Sequence, residues 1–440
     1  MRRLLLILFT LIVVAGGVAI ARSFYQPPMR LMPAPAFFLD DRTSDIFEGV
    51  SDPEIKLFYA TNREVRGSPA KREYARVPGE PLHTGVLTIR IGDDATALDR
   101  IFEWSTRASD DPRPYLHLQT VNEQASVSPD APLTPEAKAW FAEIDTAIAA
   151  SRDKDVIIYV HGAMTNLERA AGQAAQLQHF TGRNGVVLLF AWPTAENFFL
   201  YWRDPVTAKR SAPQLARLMK LLAENTSAKK LDVLTYSAGG TVGSNGLAIV
   251  GRDAMEPGAP DPRIGEVYFA APDADFRSFV ADMKDYASHV SRTTVAVNMN
   301  DKALRLSRLV NNASRAGRPD MGELSPEATQ WLLDATNTYG FELIRVRPEN
   351  IPGLSTFSHT FWYDDPWVSS DVLFTILYHL TPQDRGLAAG ETSIGGHYWT
   401  FTSDYPTRLS ALIGRLKSLM QGEPADAAKT KPGAPKDLAQ

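Results

Sequence analysis

Cysteine is absent from all 440 residues of the chain. That excludes disulfides, thiolate metal sites and a cysteine nucleophile together, and it suits an oxidising compartment, where a stray thiol is a liability. A marked excess of charge is missing too: 46 Lys and Arg stand against 51 Asp and Glu, a formal net charge of −5. Without a basic stripe, nucleic acid is not an expected partner. There is no H-E-x-x-H and no close histidine pair, so no metal site is expected. There is no P-loop, and Gly239-Gly-Thr-Val-Gly-Ser-Asn-Gly246 does not meet G-x-G-x-x-G, so no cofactor is expected either. No internal repeat occurs.

One long stretch lacks charge altogether. Leu4 to Ala21 runs between Arg2-Arg3 and Arg22, close to the roughly 20 apolar residues that a membrane span requires. Ala19-Ile20-Ala21 also reads as a small-residue cleavage site behind a signal core. The arginines favour a cytoplasmic N-terminus. Residues 1–22 are therefore expected to be a signal peptide or membrane anchor. The remainder would be exported, anchored in the inner membrane facing the periplasm, or periplasmic after cleavage. Pro27, Pro28, Pro33 and Pro35 make residues 23–54 read as an extended linker, and residues 421–440, rich in Pro, Ala, Lys and Asp, as a disordered tail.

Between these ends, 55–420 reads as one domain. Lys56–Ala60 and Gly85–Ile91 look like opening strands, and a helix is expected over 133–150, starting near Thr134-Pro135. Continuous apolar runs then alternate with helical stretches. Asp155–Val160, Gly185–Phe190, Leu231–Tyr236, Gly265–Ala271 and Thr293–Asn298 are strands, and Phe341–Val346 is expected to be the last. Helices are expected over 167–180, 212–224 and 241–250. Strands apolar on both faces, separated by helices, predict an α/β fold with a mostly parallel central sheet covered on both sides.

In such a sheet, reactive groups gather at the carboxyl ends of the strands. Leu231-Asp-Val-Leu-Thr-Tyr-Ser-Ala-Gly-Gly240 is a strand running into a serine among small residues. This is the layout of a nucleophile elbow, G-x-S-x-G, with Thr235 in the place of its first glycine. A serine at such a turn also often serves as a helix cap. A nucleophilic Ser237 needs a base and an acid that orients it. Of the eight histidines, His359 follows the expected last strand and is preferred, with His397 the alternative base. His83, His117, His179, His289 and His379 lie in segments where packing or solvation is the default role. His161-Gly162 follows a strand and suits a loop that supplies an oxyanion donor. Asp301 is the preferred acid, Asp273 the second choice and Asp275 the third, each also readable as a turn or helix-cap aspartate. The oxyanion donors would be the amides of Ala238 and Ala163. The aromatic residues Trp192, Phe198, Phe199, Tyr201 and Trp202 suit a lid or acyl pocket as well as simple loop packing.

Several stretches together resemble a known group. They are Phe58-Tyr-Ala-Thr-Asn-Arg-Glu64, Tyr159-Val-His-Gly162, Phe190-Ala-Trp-Pro-Thr194, Ala270-Ala-Pro-Asp273, Asn300-Asp-Lys-Ala-Leu-Arg-Leu-Ser307 and Ser358-His-Thr-Phe-Trp-Tyr363, with Asp371-Val-Leu following. In this order they resemble the bacterial α/β-hydrolases grouped as domain of unknown function 900, in the esterase/lipase superfamily. The resemblance implies an α/β-hydrolase fold with Ser237 as nucleophile, and points to His359 and Asp301, with Asp273 still possible. The chain departs from the group at Ala163-Met164, where Tyr-Asn is usual, and at Tyr236-Ser-Ala-Gly239, where His-Ser-Met-Gly is more common. The expected activity is hydrolysis of a small-molecule or lipid-like carboxylic ester through an acyl-enzyme. An acyltransferase, a peptidase with the same triad and a non-catalytic cell-envelope scaffold are the alternatives.

Overall fold

The computed structural model describes residues 26–41, 44–47, 50–68, 72–109, 111–129 and 131–420. The expected signal or anchor segment and the tail lie outside these residues. No helix among the described residues is long and apolar enough to cross a membrane.

Among the described residues, twelve strands make one sheet. They are β1 (Met29–Arg30), β2 (Glu54–Arg66), β3 (Glu73–Ile91), β4 (Tyr115–Val127), β5 (Val156–Val160), β6 (Val186–Phe190), β7 (Leu231–Tyr236), β8 (Ile264–Ala270), β9 (Arg292–Val297), β10 (Phe341–Arg345), β11 (Ala388–Glu391) and β12 (His397–Thr400). Their order is β1-β4-β3-β2-β6-β5-β7-β8-β9-β10-β12-β11. From β2 through β6, β5, β7, β8, β9 and β10 to β12 every pairing is parallel. Antiparallel strands close both ends. The expected mostly parallel sheet is present, and all eight parallel strands end at one edge.

The helices are α1 (Leu98–Thr106), α2 (Pro135–Ala150), α3 (Leu167–Phe180), α4 (Asp204–Asn225), α5 (Gly239–Ala254), α6 (Phe276–Tyr286), α7 (Lys302–Asn311), α8 (Pro326–Thr338), α9 (Phe361–Asp364), α10 (Pro366–Tyr378) and α11 (Tyr405–Met420). Successive side chains of a strand point to opposite faces. Ile157 and Tyr159 of β5 accordingly join one buried cluster with α3 and α10, while Val156, Ile158 and Val160 join the other with α4 and α5. Burial on both faces is why these strands read as unbroken apolar runs. Local signals hold where they were legible: Thr134 caps α2 through the Ala137 amide, with Pro135 in its first turn.

Three expectations need correction. Residues 23–54 are not simply a linker. Met29 and Arg30 pair with Leu116 and Tyr115 of β4, and Leu31, Met32, Phe37 and Phe38 are buried in the core. The prolines there lead along the edge of the sheet into a 3-10 helix (Ala36–Asp41), and the apolar residues among and after them are what the fold buries. Phe341–Arg345 is not the last strand, because β11 and β12 extend the sheet beyond it. Helix α4 starts at Asp204, eight residues before Ala212, and carries Pro213 inside it.

At the amino edge of the sheet, opposite the strand ends where Ser237 lies, His379 caps α10 with a left-handed backbone (φ 50°). Its Nε2 lies 3.4 Å from Asp155 and its Nδ1 3.7 Å from Glu266. Asp155 first, then Glu266, raise the imidazole from its ordinary 6.5 to about 10. Because the folded value lies above the unfolded one, this charge stabilises the protein fully below pH ~6.5 and ceases to do so as pH rises through about 10. His379→Asn keeps a residue that tolerates the left-handed turn and removes the charge. The gap in unfolding midpoint between wild type and this variant is expected to shrink as pH rises across that window. A gap that stays constant would show that the ion pairs contribute nothing.

Candidate active site

Ser237 sits between the end of β7 and the start of α5, in a turn tight enough to force its own backbone into the left-handed region (φ 52°). A non-glycine residue rarely adopts that conformation, and holding it costs of order 1–3 kcal/mol. Its amide donates to Ala270 O (3.0 Å), and its carbonyl accepts from Gly240 N and Asp273 N (both 2.8 Å). Two glycines make room. A Cβ on Gly239 would stand 2.5 Å from Val160 O and 2.6 Å from His161 O, and one on Gly162 would stand 3.0 Å from the Ser237 Cβ. Thr235 is fully buried. Its methyl group fills the space that a Cβ on Gly243 of α5 would enter, at 2.5 Å.

The structure brings the three preferred residues together. Ser237 Oγ lies 2.8 Å from His359 Nε2, and His359 Nδ1 lies 2.6 Å from Asp301 Oδ2. Asp301 is fully buried at the start of α7, where its other carboxylate oxygen caps the helix by accepting from Leu304 N (3.0 Å). One carboxylate thus anchors the helix and faces the imidazole. The loop carrying His359 is held by Asn298, whose side-chain amide donates to Ser358 O (2.8 Å) and Thr356 O (3.2 Å). The Tyr236 ring packs 5.3 Å from the imidazole.

The alternatives fall elsewhere. His397 is the first residue of β12, which runs parallel to β10, so it lies exposed at the amino edge, opposite Ser237. Asp275 caps α6 through the Ser278 amide. Asp273 lies near the elbow but is fully engaged. Arg315 Nε donates to Oδ1 (2.5 Å) and Ser307 Oγ to the same atom (2.6 Å). The Tyr201 hydroxyl donates to Oδ2. His179 is buried against Ser105 Oγ (2.7 Å). Asp153, Asp155 and His379 bring three potential ligand atoms within 4.8 Å of one another at the amino edge of the sheet, away from Ser237.

His161-Gly162 opens the loop after β5, beside the turn that carries Ser237. His161 is buried, stacks on Trp192 (5.5 Å, 11°) and donates through Nδ1 to Gly162 O (2.8 Å). Burial, then the nearby Arg63 charge, lower its pKa to about 3, so it stays neutral. Ala163 follows, and Ala238 lies at the start of α5, where the first amides of a helix have no intrahelical partner. Two residues that the sequence had not singled out fix this loop. Asp204 accepts from Met164 N (2.9 Å) and Ala195 N (2.7 Å), joining the loops after β5 and β6. Arg63, fully buried, donates to Thr165 O (3.1 Å) and Glu196 (2.6 Å) across the same two loops. Arg63 lies among other polar and charged residues of β2 (Thr61, Asn62, Glu64 and Arg66), so its sequence context does not mark it as buried. Asp204 gave no signal either.

The aromatic segment divides. Trp192 is core, with its indole N–H donating to His161 O (2.7 Å). Phe198, Phe199 and Trp202, on a 3-10 turn (Phe198–Arg203), are exposed; neither loop packing nor a closed acyl pocket describes them.

No curated protein matches the chain. Among solved structures, a thermophilic esterase from Thermogutta terrifontis is similar at 12% identity and a TM-score of 0.29, over 53% of this chain and 85% of that one. A predicted CIB-like hydrolase from Thermoplasma acidophilum is similar at 13% identity and a TM-score of 0.28, over 52% and 88%. The family described as alpha/beta hydrolase of unknown function (DUF900) matches residues 136–373. That is more than half of the chain and contains Ser237, Asp301 and His359, and the chain belongs to this family of α/β-hydrolases.

Proposed function

We propose that the protein is a serine hydrolase that cleaves a carboxylic ester through an acyl-enzyme. The observation carrying this reading is the unbroken relay from Asp301 through His359 to Ser237 at the carboxyl edge of the sheet. With its Nδ1 proton directed to Asp301, His359 presents a free lone pair on Nε2 to the serine hydroxyl. It takes the Oγ proton as Oγ attacks the ester carbonyl carbon. The oxygen of the tetrahedral intermediate gains its negative charge where the Ala238 and Ala163 amides would donate. His359 then gives the proton to the departing alkoxide, leaving the acyl group on Ser237. Water, deprotonated by the same nitrogen, releases the acid. Asp301 stabilises the imidazolium in both halves of the cycle.

A fluorophosphonate probe tests this directly, since it phosphonylates only an activated serine. Labelling of the full-length protein is expected, with none in Ser237→Ala. A folded wild type that resists the probe, or a variant labelled equally, would leave the non-catalytic scaffold as the better reading.

A further inference from the structure

We propose that the rim around Ser237 is a lipid-docking face that lies against an anionic bilayer and takes its ester from it. The choice of substrate rests on the ester-hydrolase reading; the docking does not.

Large apolar side chains stand in water here. Phe198, Phe199 and Trp202 project from the 3-10 turn, and Leu306, Leu309 and Val310 from α7, with Trp202 63% and Leu309 76% exposed. A patch of this kind marks an interaction surface. It is one rigid piece, because Tyr201 of the turn reaches both Asp273 and Ser307 of α7. The patch also surrounds the chemistry: α7 begins at Asp301, and Lys302 Nζ sits 3.7 Å over the ring of Phe357, which is exposed two residues before His359.

Charge selects the occupant. In a chain of net charge −5, neither the turn nor α7 contains an Asp or Glu, while Arg203, Lys302 and Arg305 are exposed on them. Apolar side chains rimmed by bases fit acyl tails beneath anionic headgroups. The path of the chain points the same way. Gln26 hooks onto this face: its side-chain amide donates to Met164 O (2.5 Å) and Glu196 O (3.0 Å), and its carbonyl accepts from Asn166 N (3.1 Å). The charge-free run ends at Ala21, and five residues reach at most about 18 Å. A bilayer holding that run would therefore lie beside the catalytic edge of the sheet.

The lack of native cysteine makes the test clean. Leu309→Cys and, at the opposite edge, Lys229→Cys are each labelled with an NBD fluorophore. The full chain is then reconstituted into phosphatidylethanolamine/phosphatidylglycerol vesicles containing brominated acyl chains. Quenching at 309 is expected to exceed that at 229 by about threefold or more, as for a helix buried at the headgroup boundary. Equal quenching, or a blue shift at 309 without bromine quenching, overturns the proposal, the latter because a protein surface would be covering the patch. In a second arm, Leu309→Asp/Val310→Asp is expected to slow hydrolysis of diacylglycerol in the vesicles about tenfold while leaving soluble p-nitrophenyl acetate within about twofold. Equal loss on both esters also overturns it. If wild type turns over neither ester, the hydrolase reading fails, and the quenching still decides docking.

Discussion

Ser237→Ala is expected to lower kcat on an activated aryl ester by on the order of 10^5-fold, His359→Ala by a similar factor, and the double variant by no more than either alone. Non-additivity is the point. If His359 acts only by moving the Ser237 proton, removing it after the serine has gone removes nothing further. Asp301→Asn should cost on the order of 10^4-fold, because an amide can hold the imidazole in the wrong tautomer and cannot stabilise its charge. The residual rate would come from the amides of the oxyanion region and from substrate binding. His397→Ala, at the far edge of the sheet, should stay at wild-type activity. Steady-state kinetics on the five variants, with folding checked by circular dichroism, reads all of this. A His359→Ala enzyme retaining more than about a tenth of wild-type activity, or losses that multiply in the double variant, would rule out this division of labour.

Asp273→Ala is expected to destabilise the fold by about 3–5 kcal/mol. Arg315 is 4% exposed and its guanidinium meets the Asp273 carboxylate at 2.5 Å. Truncating the acid leaves a cation buried without an anion and removes the carboxylate that accepts from the hydroxyls of Ser307 and Tyr201. Replacing both charges, as in Asp273→Leu/Arg315→Met, should recover part of the loss, since no uncompensated charge then remains. Urea unfolding of the three proteins measures it. An Asp273→Ala protein that unfolds like wild type but is catalytically dead would reassign the acid from Asp301 to Asp273.

The sheet was legible in the sequence because burial on both faces leaves strands such as Ile157-Ile-Tyr-Val160 with no polar residue to break the run. The candidate site was legible for a related reason: strand ends are readable, and Ser237 follows β7 directly while Asp301 and His359 lie in the segments after β9 and β10. Residues 29–38 were not, because proline signals a break in hydrogen-bonding pattern and carries no information about whether neighbouring Leu31 or Phe38 will be buried. The start of α4 was hidden as well. Its first two turns are polar on most sides, and Pro213 lies where a helix start looks more natural than a helix interior. Least legible were the ties that hold the site. Asp204 to Met164, Arg63 to Thr165 and Arg315 to Asp273 join residues 40, 102 and 42 positions apart, and no local pattern encodes such pairings.

The contact between Thr235 and Gly243 bears on how such serines are recognised at all. In G-x-S-x-G the first glycine is commonly treated as part of the chemical signature. Here that position carries a threonine, and the missing volume reappears on the facing helix, where Gly243 leaves a hollow just large enough for the threonine methyl group. What the elbow requires at this point is a fixed amount of matter between strand and helix, divisible between two sites eight residues apart. Spelling can therefore drift at 235 so long as 243 drifts the opposite way, and a search that matches letters within five residues will pass over chains whose serine sits in the same strand-to-helix turn.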